Sequence, residues 1–242
     1  MKVYFVTTGL WEEIQVLKKV RPPRLLCSYW YFRHRPLAEF CDTLGYRPEI
    51  ILDSGAYSAY TKGKNVNLLD YMAYIKANKE SIFRYISLDV IGDALMTALI
   101  YDLMLACEMR PVPVVHYGPA DKALMSIYKG KKPDMVALGG TVPVRDKSEV
   151  VQWCKEMQRL NPSTSLHLLG SCSPKLLQDN ALASCDASSW YIQAVKGFPS
   201  TIPGTTREAK MARAEANLRQ IMETFDEIPI FTTDSSGEPA DS

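Results

Sequence analysis

Eight short apolar segments alternate with amphipathic helical segments along this chain of 242 residues. Several of the segments are continuous apolar runs, which are typical of parallel strands buried on both faces. Strict alternation of strands and helices predicts a parallel sheet covered by helices. The predicted strands lie at about 2–8, 24–29, 49–53, 83–89, 112–116, 134–138, 165–169 and 183–187.

The number of strands separates two parallel architectures. Eight strand–helix units favour a single (β/α)8 TIM-type barrel, and an open doubly wound sheet, which uses about five or six strands, is the alternative. A chain of this length commonly forms one such domain. We therefore expect a barrel domain over residues 1–228. Residues 229–242 are small, polar and acidic, and they predict a short disordered tail.

Helix starts agree with this alternation. Asn67, with Asp70 three residues later, predicts a capped helix start, and Ser173 followed by Pro174 predicts another. Longer helical patterns extend over 94–108, 147–160 and 206–225.

Charge and cysteine content limit the classes of function. The formal net charge is +1, which argues against a protein that holds nucleic acid by bulk electrostatics alone, so contacts with a polyanion would be local. The candidate nucleic-acid contacts are Lys62, Lys64, Arg207 and Lys210. The six cysteines have no CxxC spacing, which indicates neither a disulfide framework nor a zinc knuckle.

The apolar segments are also informative about location. None reaches the ~18 residues that a membrane helix needs, and the apolar run over residues 1–9 is too short for a signal peptide. We expect a cytoplasmic protein in a reducing compartment, with no membrane contact.

Three aspartates stand at predicted strand ends. In a (β/α) barrel the reacting groups come from the carboxyl ends of the strands and the loops that follow. Asp53 ends the third predicted strand, Asp89 the fourth and Asp186 the eighth. A carboxylate directly after an apolar strand is costly unless it is paired or used. Their convergence on one mouth predicts a functional site, although each alone could be a turn or cap residue.

Other residues at the same strand ends could bind a flat ligand. Gly55, Gly139 and Gly140 lack the Cβ that would block the approach of a ligand to the backbone. His116 and His167 could serve in catalysis, in a metal site or in the core. The aromatic side chains that could stack on a base or sugar are Tyr57, Tyr60 and Trp190.

Paired carboxylates beside aromatic rings suit the cleavage of a bond at the anomeric carbon of a sugar. One carboxylate captures or stabilises the oxocarbenium-like centre, while another handles the proton of the leaving group. This chemistry requires neither a metal nor a cofactor.

The segment from Leu52 to Tyr60, with the sequence LDSGAYSAY, resembles the aspartate-serine-glycine signature of tRNA-guanine transglycosylases and of their phage and bacterial relatives that insert 7-deazaguanines into DNA. The resemblance covers residues 48–192. It continues in chain order through Asp89, the turn from His116 to Gly118, Gly139 and Gly140, Gly170 with Ser173 and Pro174, and Asp186.

The resemblance implies a base-exchange enzyme with assigned roles. Asp186 would be the nucleophile that captures the anomeric carbon, Asp53 the general acid and base, and Asp89 a hydrogen-bonding partner of the heterocycle. The second substrate would be a free modified nucleobase. The residues expected to line the substrate site are Ser54, Gly55, Tyr57, Asp89, His116, Gly118, Gly139, Gly140, His167, Gly170, Ser188 and Trp190.

The sequence also departs from the tRNA enzymes. Their zinc subdomain uses three cysteines and a histidine after the nucleophile, whereas neither residue type occurs here after Cys185. The Ala-Ser-Ser-Trp sequence after Asp186 is closer to the DNA-acting relatives. DNA is therefore favoured over tRNA, with no metal, and a partner protein or a homodimer could hold the polymer.

Three alternatives stay open at this point. A DNA base glycosylase would use the same two aspartates but end in hydrolysis to an abasic site. A metal-dependent hydrolase would use His116 and His167 with Asp186 or Asp53. A non-catalytic nucleic-acid-binding module would keep the fold without the chemistry.

Overall fold

The computed structural model describes residues 2–173 and 182–227. Within these ranges the chain forms an α/β fold around one sheet of eight strands, and all pairings between neighbouring strands are parallel. The strands are β1 (Lys2–Thr7), β2 (Arg24–Ser28), β3 (Glu49–Asp53), β4 (Arg84–Tyr85), β5 (Val114–His116), β6 (Met135–Gly139), β7 (Ser165–Leu168) and β8 (Leu182–Ala187).

A contact between the segments next to the two outer strands shows that the sheet is curled. Their order across the sheet is β4-β3-β2-β1-β8-β7-β6-β5. The segment after the outer strand β4 and the segment before the other outer strand, β5, meet at an isolated parallel bridge between Ile86 and Val112. There the Val112 amide donates to the Tyr85 carbonyl, and the Ser87 amide donates to the Val112 carbonyl, both at 2.8 Å. This contact is a single bridge and not a full ladder.

Helices follow the strands and cover the outer face of the sheet. One short 3-10 helix spans Lys79–Ser81. The α-helices of the described ranges are α1 (Trp11–Val20), α2 (Tyr29–Phe32), α3 (Leu37–Leu44), α4 (Ala56–Tyr60), α5 (Leu68–Ala77), α6 (Ala94–Ala106), α7 (Asp121–Lys131), α8 (Lys147–Leu160), α9 (Ser189–Val195) and α10 (Arg207–Thr224).

The predicted strands are all present, and the fourth is shorter than the sequence indicates. β4 ends at Tyr85; the Ile86 amide still donates to the Leu52 carbonyl of β3 at 2.9 Å, and Ile86 also forms the bridge with Val112. The predicted cap at Asn67 is confirmed, since its side chain accepts a hydrogen bond from the Asp70 amide at 3.1 Å. The cap predicted at Ser173 and Pro174 and the tail at 229–242 involve residues outside the described ranges.

The two faces of the sheet bury different side chains. Because side chains alternate along a strand, residues two apart share a face. The outward face of the strands packs against the helices in the larger core, which includes Val3, Phe5, Leu25, Ile50 and Leu52. The inward face forms a separate cluster of Tyr4, Leu26, Ile51, Ile86, Val112, Val114, Met135 and Ala137.

Candidate active site

The alternation that builds the inner cluster also orients the side chains at the carboxyl edge of the sheet. Asp53 lies two residues after Ile51, and His116 lies two residues after Val114, so both face inward with them. Gly139 follows Ala137 in the same way. The inner face of the sheet therefore continues from an apolar interior into a polar mouth.

Asp53 has an unusual carboxyl group. Its Oδ2 accepts a hydrogen bond from the Gly55 amide at 2.8 Å. Burial, then the negative charge of Asp89, and to a smaller extent that of Asp186, raise the pKa of Asp53 to about 7, and the Gly55 amide opposes this rise. The Asp53 carboxyl can thus hold or release a proton near neutral pH. The interaction between two charges weakens with distance, so the effect of Asp89 and Asp186 on the pKa of Asp53 indicates that the three aspartates share one site.

Gly55 is required by the space around it. Its φ is +75°, in the left-handed region that favours glycine, and a Cβ there would lie 2.5 Å from the Trp30 Cβ and 2.7 Å from the Ser28 Oγ. The loop after β3 therefore packs directly against the end of β2. This contact fixes the backbone amide that holds Asp53.

Asp89 is held by two side chains. The Ser54 hydroxyl donates to its Oδ1 at 3.1 Å, and Nε2 of His116 lies 2.8 Å from its Oδ2. Ser54 is fully buried and its Oγ also accepts from the Ala56 amide at 3.2 Å. Each Asp89 oxygen keeps a second lone pair, so the carboxylate can still accept a hydrogen bond from a ligand.

The paired glycines at the end of β6 make room for protein groups. A Cβ on Gly139 would lie 3.0 Å from Cδ2 of the His116 ring. Gly140 has a φ of +76°, and a Cβ there would lie 3.2 Å from the Tyr117 amide nitrogen. The glycine at position 139 therefore allows the His116 ring to reach Asp89, a role in addition to the ligand contact that the sequence suggests.

Asp186 is almost completely buried. Its Oδ1 accepts a hydrogen bond from the Gly170 amide at 2.8 Å, and Nε2 of His167 lies 3.6 Å from the same oxygen. Gly170 has a φ of +69°, and a Cβ there would lie 2.8 Å from Cγ2 of Val142. The turn after β7 thus presents a backbone donor to the carboxylate at the end of β8.

His167 is buried on the neighbouring strand. Its Nδ1 lies 2.8 Å from the Ser184 hydroxyl, and among the described residues its Nε2 has no hydrogen-bond partner within bonding distance. A nitrogen lone pair pointing at a carboxylate would be repelled. The arrangement therefore favours the tautomer in which Ser184 donates to Nδ1 and the proton on Nε2 faces Asp186.

The remaining residues expected at the substrate site occupy different positions. Tyr57 is exposed on α4, and Ser188 is half-buried directly after β8. Gly118 lies at the edge of an open cleft of about 1200 Å³ between α7 and α8, which none of the three aspartates lines.

Trp190 differs from the expectation that it stacks on a ligand. Its ring is fully buried, and its Nε1 donates to the Val6 carbonyl at 3.0 Å. No ring face is free for a base, so we assign Trp190 a packing role.

The basic candidates also divide into two groups. Lys62 and Lys64 are exposed after α4, near the end of β3. Arg207 is paired, because its Nε lies 3.3 Å from Oε1 of Glu12, and Lys210 lies one helical turn further along α10. Lys62 and Lys64 are therefore the better placed pair for contact with a ligand at the mouth.

Sequence reasoning missed residues at the ends of the first two strands. Ser28 is the strand partner of Asp53, and Trp30 follows two residues later. After β1, the buried carboxylate of Glu13 accepts hydrogen bonds from the Thr7 hydroxyl, the Thr8 amide and the Gly9 amide at 2.8–3.1 Å. The strand-end rule applied to β1 and β2 would have identified both regions.

In residues 2–173 and 182–227, no group of three or more His, Cys, Asp or Glu side chains is arranged to hold a metal ion. No helix of the described chain has the length and apolar character required to cross a membrane. Comparison with protein-family models and with curated proteins gives no match.

Proposed function

We propose that the chain is a (β/α)8-barrel enzyme that cleaves the N-glycosidic bond of a nucleotide in nucleic acid and exchanges its base for a 7-deazaguanine-type base. The observation that supports this most directly is the Asp53 carboxyl, whose pKa of about 7 is set by burial and by the charges of Asp89 and Asp186. A proton donor at neutral pH beside a buried carboxylate is the pair that such a cleavage requires.

The reaction divides into two displacements at the anomeric carbon. In the first, a carboxylate oxygen of Asp186 bonds to C1′ while the bond from C1′ to the base breaks, and Asp53 donates its proton to a ring nitrogen of the departing base. In the second, Asp53 takes a proton from the incoming base. A ring nitrogen of that base then bonds to C1′ and releases the Asp186 carboxylate.

Asp186 requires an environment that presents it as a nucleophile. The Gly170 amide holds its Oδ1, and the other carboxylate oxygen has no bond to this amide. Nε2 of His167, which carries the proton in the favoured tautomer, lies 3.6 Å from Oδ1. These contacts orient the carboxylate and stabilise its negative charge each time the sugar leaves.

Asp89 suits the recognition of the base. Ser54 and His116 fix the orientation of its carboxylate, and its free lone pairs can accept the N–H groups on the edge of a purine-like heterocycle. The backbone of Gly139 and Gly140 lies beside His116 and offers groups for the flat face or the edge of the same ring.

DNA is the proposed polymer, and the cytoplasm is the proposed location. The Asp-Ser-Gly segment resembles both RNA-acting and DNA-acting enzymes, and the sequence after Asp186 resembles the DNA-acting group. A target in a duplex would have to leave the base stack to reach Asp53 and Asp186.

One experiment tests the proposal. Single-stranded DNA, double-stranded DNA and tRNA are incubated with the protein, with and without free 7-deazaguanine bases, and the nucleosides are then analysed by mass spectrometry. Asp186→Asn is the test variant. Asp93→Asn is the matched control, because Asp93 caps α6 through the Met96 amide at 2.9 Å and asparagine can make the same bond.

The expected result is incorporation of the added base, present in the control variant and absent in Asp186→Asn. Release of a base without incorporation would replace the proposal with a DNA glycosylase on the same residues. Equal incorporation by Asp186→Asn and the unmodified protein would refute the role of Asp186.

A further inference from the structure

Aromatic and basic side chains lie together beside the loop that carries Asp53. Trp30 and Tyr31 belong to α2, which follows β2, and Arg33 is the C-cap residue directly after that helix. Lys62 lies just after α4, which follows β3. Because β2 and β3 are parallel neighbours, both helices begin at the carboxyl edge of the sheet. We call these four residues the aromatic-basic rim.

The cations of the rim lie over its rings. The Arg33 guanidinium carbon is 4.4 Å from the centre of the Trp30 ring. The Lys62 ammonium is 4.8 Å from the centre of the Tyr31 ring and 5.7 Å from that of Trp30. Such contacts hold long flexible side chains in place while leaving their charge available at the surface.

The charges of the rim are not neutralised by carboxylates. Among the described residues, neither Arg33 nor Lys62 forms an ion pair with an acidic side chain. Arg207 lies over the Trp11 ring in a similar way but is paired with Glu12. The rim is thus a net positive surface.

The rim is in direct contact with the candidate active site. A Cβ on Gly55 would lie 2.5 Å from the Trp30 Cβ, so α2 touches the loop that positions Asp53. The three carboxylates of the mouth repel a phosphate backbone, and the cations of Arg33 and Lys62 offset that repulsion on one side. Tyr31 is 42% exposed, which leaves part of its ring accessible to a second flat group.

We infer that the aromatic-basic rim binds an unpaired stretch of nucleic acid next to the target nucleotide, with phosphates on Arg33 and Lys62 and a base on Tyr31. This inference rests on the proposed function, since it supplies the polymer site for that reaction. Cations that follow the phosphate backbone and rings that stack on bases are the two features by which single strands are bound without sequence preference.

The inference is tested by the fluorescence anisotropy of a short labelled oligothymidylate over a series of salt concentrations, with a duplex of equal length beside it. The variants are Lys62→Ala, Tyr31→Ala and Tyr31→Phe. The control is Lys76→Ala, which removes one exposed charge from the last turn of α5 and takes no part in the cation–ring contacts of the rim. All proteins also carry Asp186→Asn, so that binding is measured without turnover.

We expect Lys62→Ala to weaken single-strand binding several-fold and to reduce the salt slope by about 0.7 for each lost phosphate contact. Tyr31→Ala should weaken it by about 5-fold or more through the loss of stacking, whereas Tyr31→Phe and Lys76→Ala should bind as the parent does. These losses would support the rim even if no base exchange were detected.

Unchanged single-strand binding in Lys62→Ala and Tyr31→Ala would refute the inference that the rim binds nucleic acid, even if base exchange is observed. A loss that is as large for the duplex as for the single strand would also overturn the inference, because the surface would then bind backbone irrespective of pairing.

Discussion

Replacement of Asp53 by asparagine should stabilise the fold at alkaline pH and have a much smaller effect in acid. The carboxyl group has an ordinary pKa of 3.8 in the unfolded chain and about 7 in the folded protein, where burial and two neighbouring carboxylates disfavour its ionised form. A pKa that is raised on folding means that the neutral form is favoured in the fold. The stability that it provides is present at low pH and is lost as the pH rises through about 7.

The size of this effect follows from the two pKa values. One pKa unit corresponds to about 1.36 kcal/mol, so the full loss is on the order of 4 kcal/mol above the folded pKa. Between about pH 4.5 and about pH 8.5, the free energy of unfolding of Asp53→Asn should therefore rise by about 3 kcal/mol relative to that of the unmodified protein. Asparagine retains an oxygen that can accept the Gly55 amide, so the local hydrogen bond survives.

Urea denaturation at the two pH values measures the difference directly. Other buried carboxyls with raised pKa values, such as Glu13 and Glu227, are present in both proteins and cancel in the comparison. Asp93→Asn, which changes an exposed carboxylate at the start of α6, is the matched control for the loss of one carboxyl group. Parallel stability curves for Asp53→Asn and the unmodified protein would refute the electrostatic argument and, with it, the assignment of Asp53 as a proton carrier.

Three further changes test the local structure by the free energy of unfolding. Gly55→Ala should cost about 1–3 kcal/mol more than Gly63→Ala, because both positions have positive φ but only the first would place a Cβ against Trp30; equal losses would contradict the close approach. Glu13→Ala should cost on the order of 3 kcal/mol, since it leaves buried hydroxyl and amide donors after β1 without an acceptor, and a loss within error of zero would contradict that role. Asn67→Ala should cost about 1 kcal/mol and Asn67→Asp much less, because only the aspartate can still cap α5.

The sequence was sufficient to locate the strands because each is an apolar run of the right length between helical patterns. The same apolar runs single out Asp53, Asp89 and Asp186 as candidates; Asp53 lies in β3 and Asp186 in β8, whereas Asp89 lies four residues after the end of β4. The length of β4 could not be predicted in this way. Ile86 bonds to Leu52 of β3 through its amide and also bridges to Val112, and the apolar character of these residues does not show which partner each one takes.

Side-chain environments were harder to predict than strands. Trp190 follows a strand end, as an aromatic residue that contacts a ligand would. Its indole nitrogen nevertheless donates to the carbonyl of Val6 in β1, and the ring is buried. Gly139 was expected to leave space for a flat ligand, but the group that occupies the space beside it is the His116 ring. Both outcomes depend on contacts between segments distant in the chain, which local sequence patterns do not encode.

The four tryptophans give the protein an intrinsic optical signal for events at its mouth. Trp153 and Trp190 are buried, whereas Trp11 is exposed and Trp30 half-exposed, and both of these follow strand ends near the carboxylates. Emission from the buried pair should be blue-shifted and protected from a soluble quencher such as iodide. The quenchable, red-shifted part of the spectrum then comes from Trp11 and Trp30, so its change on adding a ligand reports on that edge of the molecule without any attached dye.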